Sequence, residues 1–213
     1  MKQSDSKTST RQQMLMLLKT NGAMSAAQLA IQLNMTEMGV RRHLYTLEEQ
    51  GLLETEMVRQ PMGRPLCIYR LSTKGDEQFP KQYHQLILDL LKEMEGRLEE
   101  DGIGKLFESR KQSLIEKYAP QMGQSSLVER VEALGTIQDR NGYMVETEQE
   151  EYGIWLLHEY NCPIAQVAQH YKQPCACELA LFRELLDADV TRTECIAEQG
   201  QRCTYRIRNF IFA

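Results

Sequence analysis

Thr36-Glu37-Met38-Gly39-Val40-Arg41-Arg42-His43-Leu44-Tyr45-Thr46-Leu47-Glu48-Glu49-Gln50-Gly51 is the stretch on which the architecture of this 213-residue chain turns. Thr36 is a helix-capping residue type and Gly51 a helix-stopping one, and Met35 and Val40 stand at the two positions of a hydrophobic staple across the cap. At about 100° per residue, Val40, Leu44 and Leu47 fall in one narrow sector, the side that a helix buries. Met38, Arg41, Arg42 and Tyr45 fall opposite. Two adjacent guanidinium groups on the outer face of a short helix suit guanine edges in a major groove or the phosphates beside it. Alone, the pair suits a solvated surface equally well. His43 lies on the flank, placed for packing or for a single phosphate.

The flanking sequence supplies the context. Ser25 with Gln28 reads as a capping box, with Met24 and Leu29 as its staple; Leu29, Ala30 and Leu33 face inward and Asn34 suits a left-handed stop. A turn of two or three residues separates that helix from the one at Thr36, the tight pairing of a helix-turn-helix. Further upstream, Thr10 with Gln13 reads as another capping box, opening a helix with Met14, Leu17 and Leu18 inside and Asn21-Gly22 at its end. Downstream, Leu52–Gln60 and Leu66–Leu71 have strand character around Pro61-Met62-Gly63-Arg64-Pro65, a stiff tip carrying an arginine. A hairpin behind a recognition helix is a wing. Arg64 at its tip would reach a phosphate or a narrow minor groove, and Arg59 is a second phosphate candidate. Residues 1–75 are thus expected to form a winged helix-turn-helix on duplex DNA, with contacts from Thr36, Met38, Arg41, Arg42, His43, Tyr45, Arg59 and Arg64.

Charge divides along the same line. The chain carries a net −5, but residues 1–75 hold ten Lys/Arg against six Asp/Glu, a net +4, and residues 76–213 hold fifteen against twenty-four, a net −9. A basic head on an acidic body fits a DNA-binding domain joined to a sensing or assembly domain, or chance. No apolar run approaches the ~18 residues of a membrane span, and the polar start MKQSDSKTST has no signal-peptide core, so a cytoplasmic location is expected. In that reducing setting the six cysteines leave three readings open: small core residues, metal ligands or redox thiols.

The head resembles bacterial winged-helix repressors of the DeoR/ArsR-like kind in Gly39-Val40-Arg41-Arg42-His43-Leu44, Leu47-Glu48-Glu49-Gln50-Gly51-Leu52-Leu53 and Gly63-Arg64-Pro65. Beyond it, Ser72-Thr73-Lys74-Gly75 reads as a loop. From Lys81 to Glu95 the apolar positions Tyr83, Leu86, Ile87, Leu90, Leu91 and Met94 mark an amphipathic helix, fit for a homodimer seam or for core packing. Residues 105–119 and 125–140 read as two further helices. The expected division is a helical linker and dimerisation region over 76–140 and an α+β, cysteine-containing sensor domain over 141–213, giving an α+β chain overall.

In that last region Tyr143–Glu148 and Gly153–Tyr160 read as strands, Pro163–Tyr171 and Pro174–Leu186 as helices, and Val190–Cys195 and Cys203–Ile207 as strands. Five cysteines lie here, without the spacing of a zinc ribbon. Cys162 stands where an N-cap would precede Pro163, and Cys175 falls in the first turn of the next helix; both places favour thiolates and anions. Cys175 shares a stripe with Leu179, Phe182 and Leu186, Cys203 shares a strand face with Tyr205 and Ile207, and Cys177 lies on a more mixed face.

This part, and with it nearly the whole chain, resembles the SufR-type iron–sulfur repressors. The matching residues are Asn161-Cys162-Pro163-Ile164, Val167-Ala168, His170-Tyr171, Cys175 with Glu178-Leu179 and Phe182, and Gly200-Gln201-Arg202-Cys203-Thr204-Tyr205-Arg206-Ile207. The resemblance implies a homodimeric repressor that couples operator binding to a [4Fe–4S] iron–sulfur cluster held by Cys162, Cys175 and Cys203, and that controls iron–sulfur assembly genes. The fourth ligand stays open among Cys177, Cys195, His170 and a small exogenous group. The Gly-x-x-Cys-x-Tyr ending also resembles the last strand of 4-vinyl-reductase-type ligand-binding domains, so an organic effector in the C-terminal domain, without metal, is the alternative. No nucleophile–base pair, phosphate loop or HExxH is present, and no enzyme is expected; His158 and His170 suit structural roles.

Overall fold

Side-chain caps fix where the first helices begin. In a computed structural model of the chain, which describes residues 9–98, 101–123 and 126–210, α1 spans Thr10–Asn21 and Ser9 is its cap: Gln12 N donates to Ser9 Oγ (3.3 Å) and Ser9 N donates to Gln12 Oε1 (3.0 Å). The box thus lies one residue before the Thr10–Gln13 register. Both registers place a hydroxyl three residues ahead of a glutamine, and only the extended backbone at Ser9 decides between them. Residues 1–8, which include most of the polar start, lie outside the described residues.

After the short strand β1 (Met24–Ser25), α2 (Ala26–Leu33) carries the expected Ser25/Gln28 box and ends on Asn34 in the left-handed region, at φ 52°. Helix α3 (Glu37–Glu49) begins at Thr36, whose Oγ1 accepts from Gly39 N (3.2 Å). Strands β2 (Leu53–Val58) and β3 (Leu66–Leu71) form the wing, with β1 on the far side of β3 in an antiparallel sheet of order β1-β3-β2. Met14, Leu29, Val40, Leu44 and Leu47 are at most 1% exposed, so the three helices and the sheet share one core. Ser72–Gly75 is not a loop but the capped start of a one-turn helix, α4 (Thr73–Asp76). Ser72 N donates to Leu52 O, and a Cβ on Gly75 would come within 2.1 Å of that carbonyl. Only glycine fits there.

The chain divides into two compact units, meeting at Lys81/Gln82. The second contains α5 (Tyr83–Glu95), α6 (Gly102–Met122), α7 (Leu127–Arg140), β4 (Val145–Glu151), β5 (Ile154–Glu159), α8 (Ala165–Ala168), α9 (Gln173–Leu186), β6 (Asp189–Glu194) and β7 (Cys203–Arg208). Its sheet is antiparallel throughout, in the order β4-β5-β7-β6. Tyr118 of α6, Val131 and Leu134 of α7, and Phe182 and Leu186 of α9 pack against Leu157, Val190, Tyr205 and Ile207 of the sheet. Phe182 and Tyr205 meet with ring centroids 4.7 Å apart. Residues 102–140 therefore share their core with the sheet, where the sequence suggests a boundary at 140/141. The whole chain is α+β.

One expected helix is much shorter than its pattern suggests. Pro163–Tyr171 yields only the four residues of α8, with Ile164 rather than Cys162 at its cap. Pro174 limits it from behind: it lacks an N–H and would clash with the carbonyl four residues earlier, so α8 and α9 cannot fuse. No described helix is long and apolar enough to cross a membrane.

Leu44→Ala should cost the head about 2–5 kcal/mol, as a buried leucine truncated without collapse does. Hydrogen exchange should then show lost protection in α1–α3 and unchanged protection in α6, α7 and α9. Gly75→Ala should lose protection at the β3–α4 junction through its clash with Leu52.

Candidate nucleic-acid interface and buried cysteine site

Helix α3 hides one edge and offers the other. Val40, Leu44 and Leu47 are buried, while Met38 and Tyr45 are 79% and 62% exposed and Arg41 and Arg42 stand in solvent between them. Arg41 is held by Glu37 one turn earlier, its Nε at 2.9 Å and its Nη2 at 2.6 Å from Oε1. Arg42 has no ion-pair partner among the described residues and is the freer donor. Tyr45 is hydrogen-bonded to Glu49, which raises its pKa. His43 is half-buried at the flank. Thr36 uses its hydroxyl oxygen as the cap acceptor and keeps its O–H proton for a donor role. Arg59 and Arg64 flank the wing tip, both exposed, with Gly63 at φ 98° shaping the turn. On the wing strands the exposed Glu54 and Glu56 are both within ion-pair reach of Arg70, so their charge is partly offset.

The cysteines divide into one outlying residue in the head and a group in the second unit. Cys67, on β3, packs against the head core beside Tyr69. In the second unit, the helix-facing side of the sheet ends in a polar nest where the last residue of β5, the first of β7 and the turn after β6 meet the start of α9. Glu159 pairs with Cys203 across the β5–β7 ladder, which places their side chains side by side. Cys195 follows β6. Strict alternation from the buried Val190 would turn Cys195 outward, but a bulge between Arg192 and Glu194 restores its inward direction, and it is 5% exposed. Cys195 is an electrostatic neighbour of Cys162, Cys175 and Cys203 alike, thiols that come from three other segments.

Carboxyls and a guanidinium share this space. The Glu178 carboxylate accepts from Tyr205 Oη (2.7 Å) and bonds Tyr143; Arg192 Nη1 donates to Cys175 O (2.9 Å); Gln138 Nε2 donates to Glu159 Oε1 (2.8 Å). Burial dominates the acid–base chemistry. It pushes the Glu159 carboxyl up to about 9, helped by Glu178. It lifts Cys162 to about 11 and Cys175 to about 12, and Cys203 further still. The lowered thiol pKa values expected from helix N-termini are therefore corrected: Cys162 precedes a four-residue helix that it does not cap, and at Cys175 desolvation and the neighbouring Cys195 outweigh the helix end.

The other candidates lie elsewhere. Cys177 has Glu108, Lys111 and Arg110 as its charged neighbours and borders a pocket of about 300 Å³ lined also by Lys117, Tyr118 and Tyr143. His170 is exposed, its Nδ1 donating to Gln166 O (2.8 Å). His158 is buried and satisfied between Thr204 Oγ1 and Glu148 Oε1. Sequence reasoning passed over Glu159, Glu178, Tyr143, Gln138 and Arg192. A signal for Glu159 was available: it keeps the inward parity of Trp155 and Leu157 in an apolar strand.

Residues 11–55 match the family model of the DeoR-like helix-turn-helix domain. The chain carries the DNA-binding helix-turn-helix of a transcription regulator. No curated protein matches it. Among solved structures, the zinc-responsive MarR family member ZitR of Lactococcus lactis is 21% identical over 55% of this chain and 80% of its own, with a TM-score of 0.30. Wild-type ZitR in complex with DNA is 19% identical over 55% and 82%, with a TM-score of 0.29. NMB1585, a MarR family regulator from Neisseria meningitidis, is 17% identical over 62% and 76%, with a TM-score of 0.29.

Arg42→Ala should weaken specific DNA binding by about 1–3 kcal/mol and relax base preference, whereas Arg64→Ala should weaken binding evenly and flatten the salt dependence by roughly one phosphate contact. Fluorescence anisotropy across a salt series checks both; an Arg42→Ala protein with unchanged preference would show that α3 reads no bases through that side chain. In the folded protein Glu159 keeps its proton up to about 9, while the unfolded chain releases it near 4.5. Between those values the unfolded state binds fewer protons, so stability falls as pH rises. Melting temperature should drop across that window, less steeply in Glu159→Gln; a rise would contradict the assignment.

Proposed function

We propose that the chain is a homodimeric transcription repressor whose operator binding is set by an iron–sulfur cluster, of the [4Fe–4S] kind, held by Cys162, Cys175 and Cys203. The observation that carries this reading is that Cys162, Cys175 and Cys203, on three separate segments, all have Cys195 as an electrostatic neighbour, in a chain whose head carries a DNA-binding helix-turn-helix.

The donor set favours a cluster over a single ion. Among the described residues no three His, Cys, Asp or Glu stand close enough to share one metal ion, whereas zinc needs its donors at about 2.0–2.3 Å from one centre. A group of several irons spreads its thiolates wider, and soft sulfur donors select for it. When bound, it supplies a tie between these segments that iron supply and oxidants can break. The chain's own part is positional. Cys162 anchors the loop before α8, Cys175 the start of α9, and Cys203 the start of β7.

That anchoring leads toward the dimer helix. Val167 of α8 packs with Leu91 of α5 and Ile103 of α6, so the Cys162 loop bears on α5. The outer side of α5 exposes Tyr83, Leu86, Ile87 and Leu90, from 44% to 69%, a face that a second copy of the chain would cover. Half-site spacing on an operator is the quantity that such a joint controls. A second reading, an organic effector without metal, is supported by the pocket of about 300 Å³ beside Cys177, where Arg110, Lys111 and Lys117 would favour an anion.

Anaerobically prepared protein should contain iron and acid-labile sulfide and absorb broadly in the visible range, and Cys162→Ser should lose all three signals. Colourless, iron-free wild type would remove the cluster and leave the effector reading. Leu86→Asp with Leu90→Asp should convert a dimer to a monomer in sedimentation; a persistent dimer would place the joint on another surface.

A further inference from the structure

Two cavities of the second unit adjoin. One, of about 300 Å³, is walled by α6, α9 and the end of α7; the other, of about 400 Å³, lies between α5, α6 and the segment that leads into α8. Arg110, Pro163 and Ile164 line both. The remaining walls differ in chemistry. Tyr83 and Ile87 of α5, with Ala165 and Val167 of α8, give the larger cavity an apolar side. Lys117, Tyr118 and Asn141 give the smaller one a cationic, hydrogen-bonding end.

Three donors at that end are unused. Arg183, Arg192, Arg206 and Arg208 are each held by a carbonyl or carboxylate at 2.7–2.9 Å, but Arg110 has no hydrogen bond or ion pair among the described residues. Lys117 has no carboxylate partner among them either, and its ammonium lies 5.0 Å from the centre of the Tyr118 ring. Tyr118 is only 6% exposed; its Oη accepts from Asn141 Nδ2 (3.0 Å), and among the described residues its own proton has no acceptor. Lys111, by contrast, is already offset by Glu108 (2.7 Å) and Glu184 (3.9 Å). The Glu178 carboxyl that borders the cavity is occupied by Tyr205 and Tyr143, and burial disfavours its charged form, so it opposes an incoming anion weakly.

We propose that the two cavities form one binding site for an amphiphilic monocarboxylate, whose head takes the Tyr118 O–H and the charges of Arg110 and Lys117 and whose apolar chain lies against Ile164, Ala165 and the α5 wall. The inference deepens the effector reading above and rests on it for its regulatory sense alone. Two cations and one hydroxyl donor match the two oxygens of a carboxylate. A small inorganic anion would leave the apolar cavity unfilled, and a neutral apolar ligand would leave the donors unused. Tyr83 and Ile87 are 69% and 44% exposed and belong to the side of α5 that a second copy would cover, so the ligand chain would border the dimer joint. A ligand with different affinity for two dimer arrangements would there shift the balance between them.

Isothermal titration of the full chain with butanoate, hexanoate and octanoate should show saturable binding that tightens about fourfold with each methylene buried. Octanamide, which keeps the chain and lacks the charge, should bind about tenfold more weakly than octanoate or worse, and octanoate should lose as much on Arg110→Gln. Arg110 is exposed, so Arg110→Gln should keep the wild-type melting temperature and its loss of binding is specific. Ala165→Phe, which fills the apolar cavity, should weaken octanoate and spare butanoate. Octanamide that binds as well as octanoate, or full octanoate affinity in Arg110→Gln, overturns the site. Wild type that gives no saturable heat with octanoate overturns it too, and leaves the effector reading to ligands of another class. Octanoate that binds as expected but leaves DNA affinity unchanged in anisotropy supports the site and removes the effector reading.

Discussion

The β5–β7 ladder sets Glu159 against Cys203, and the helices pack over that face of the sheet, so that Glu159, Cys195 and Cys203 are buried beside the half-buried Cys162, Cys175, Glu178 and Arg192. Desolvation there penalises every charged form. It keeps Glu159 and the thiols of Cys162, Cys175 and Cys203 protonated at neutral pH. The hydrogen bonds from Tyr205, Tyr143 and Gln138 offset part of the cost.

The head obeys a different constraint. Its core is apolar apart from the buried cap Ser25, drawn from three short helices and a small sheet, and its charged residues lie outside. The local cap bonds of Ser9, Ser25 and Thr36 start the helices, and the buried edge of α3 fixes which residues face outward. The Glu37–Arg41 pair adds a restraint: being exposed, it is worth little to stability, but it gives Arg41 a preferred orientation and a partner that a phosphate would have to displace.

The two units divide the work in physical terms. One presents charge to solvent, and the other shelters ionisable groups whose charged forms burial disfavours. The exposed apolar side of α5 belongs to the second.

The helix-turn-helix, the wing and the alternation of strands and helices were legible from residues alone, because caps, staples and apolar periodicity act over three or four positions along the chain. Even so, two equivalent Ser/Thr-x-x-Gln registers at Ser9 and Thr10 could not be separated without backbone angles, and an apolar pattern over Pro163–Tyr171 concealed a four-residue helix. The cysteine site was legible as a list of residues but not as a place. Tertiary structure alone decided that Cys195 neighbours Cys162, Cys175 and Cys203, that Cys177 faces the Lys111 side, and that Glu159 stands opposite Cys203. Each outcome depends on strand register, on the bulge at Arg192/Glu194 and on how α9 docks on the sheet, interactions between segments far apart in sequence.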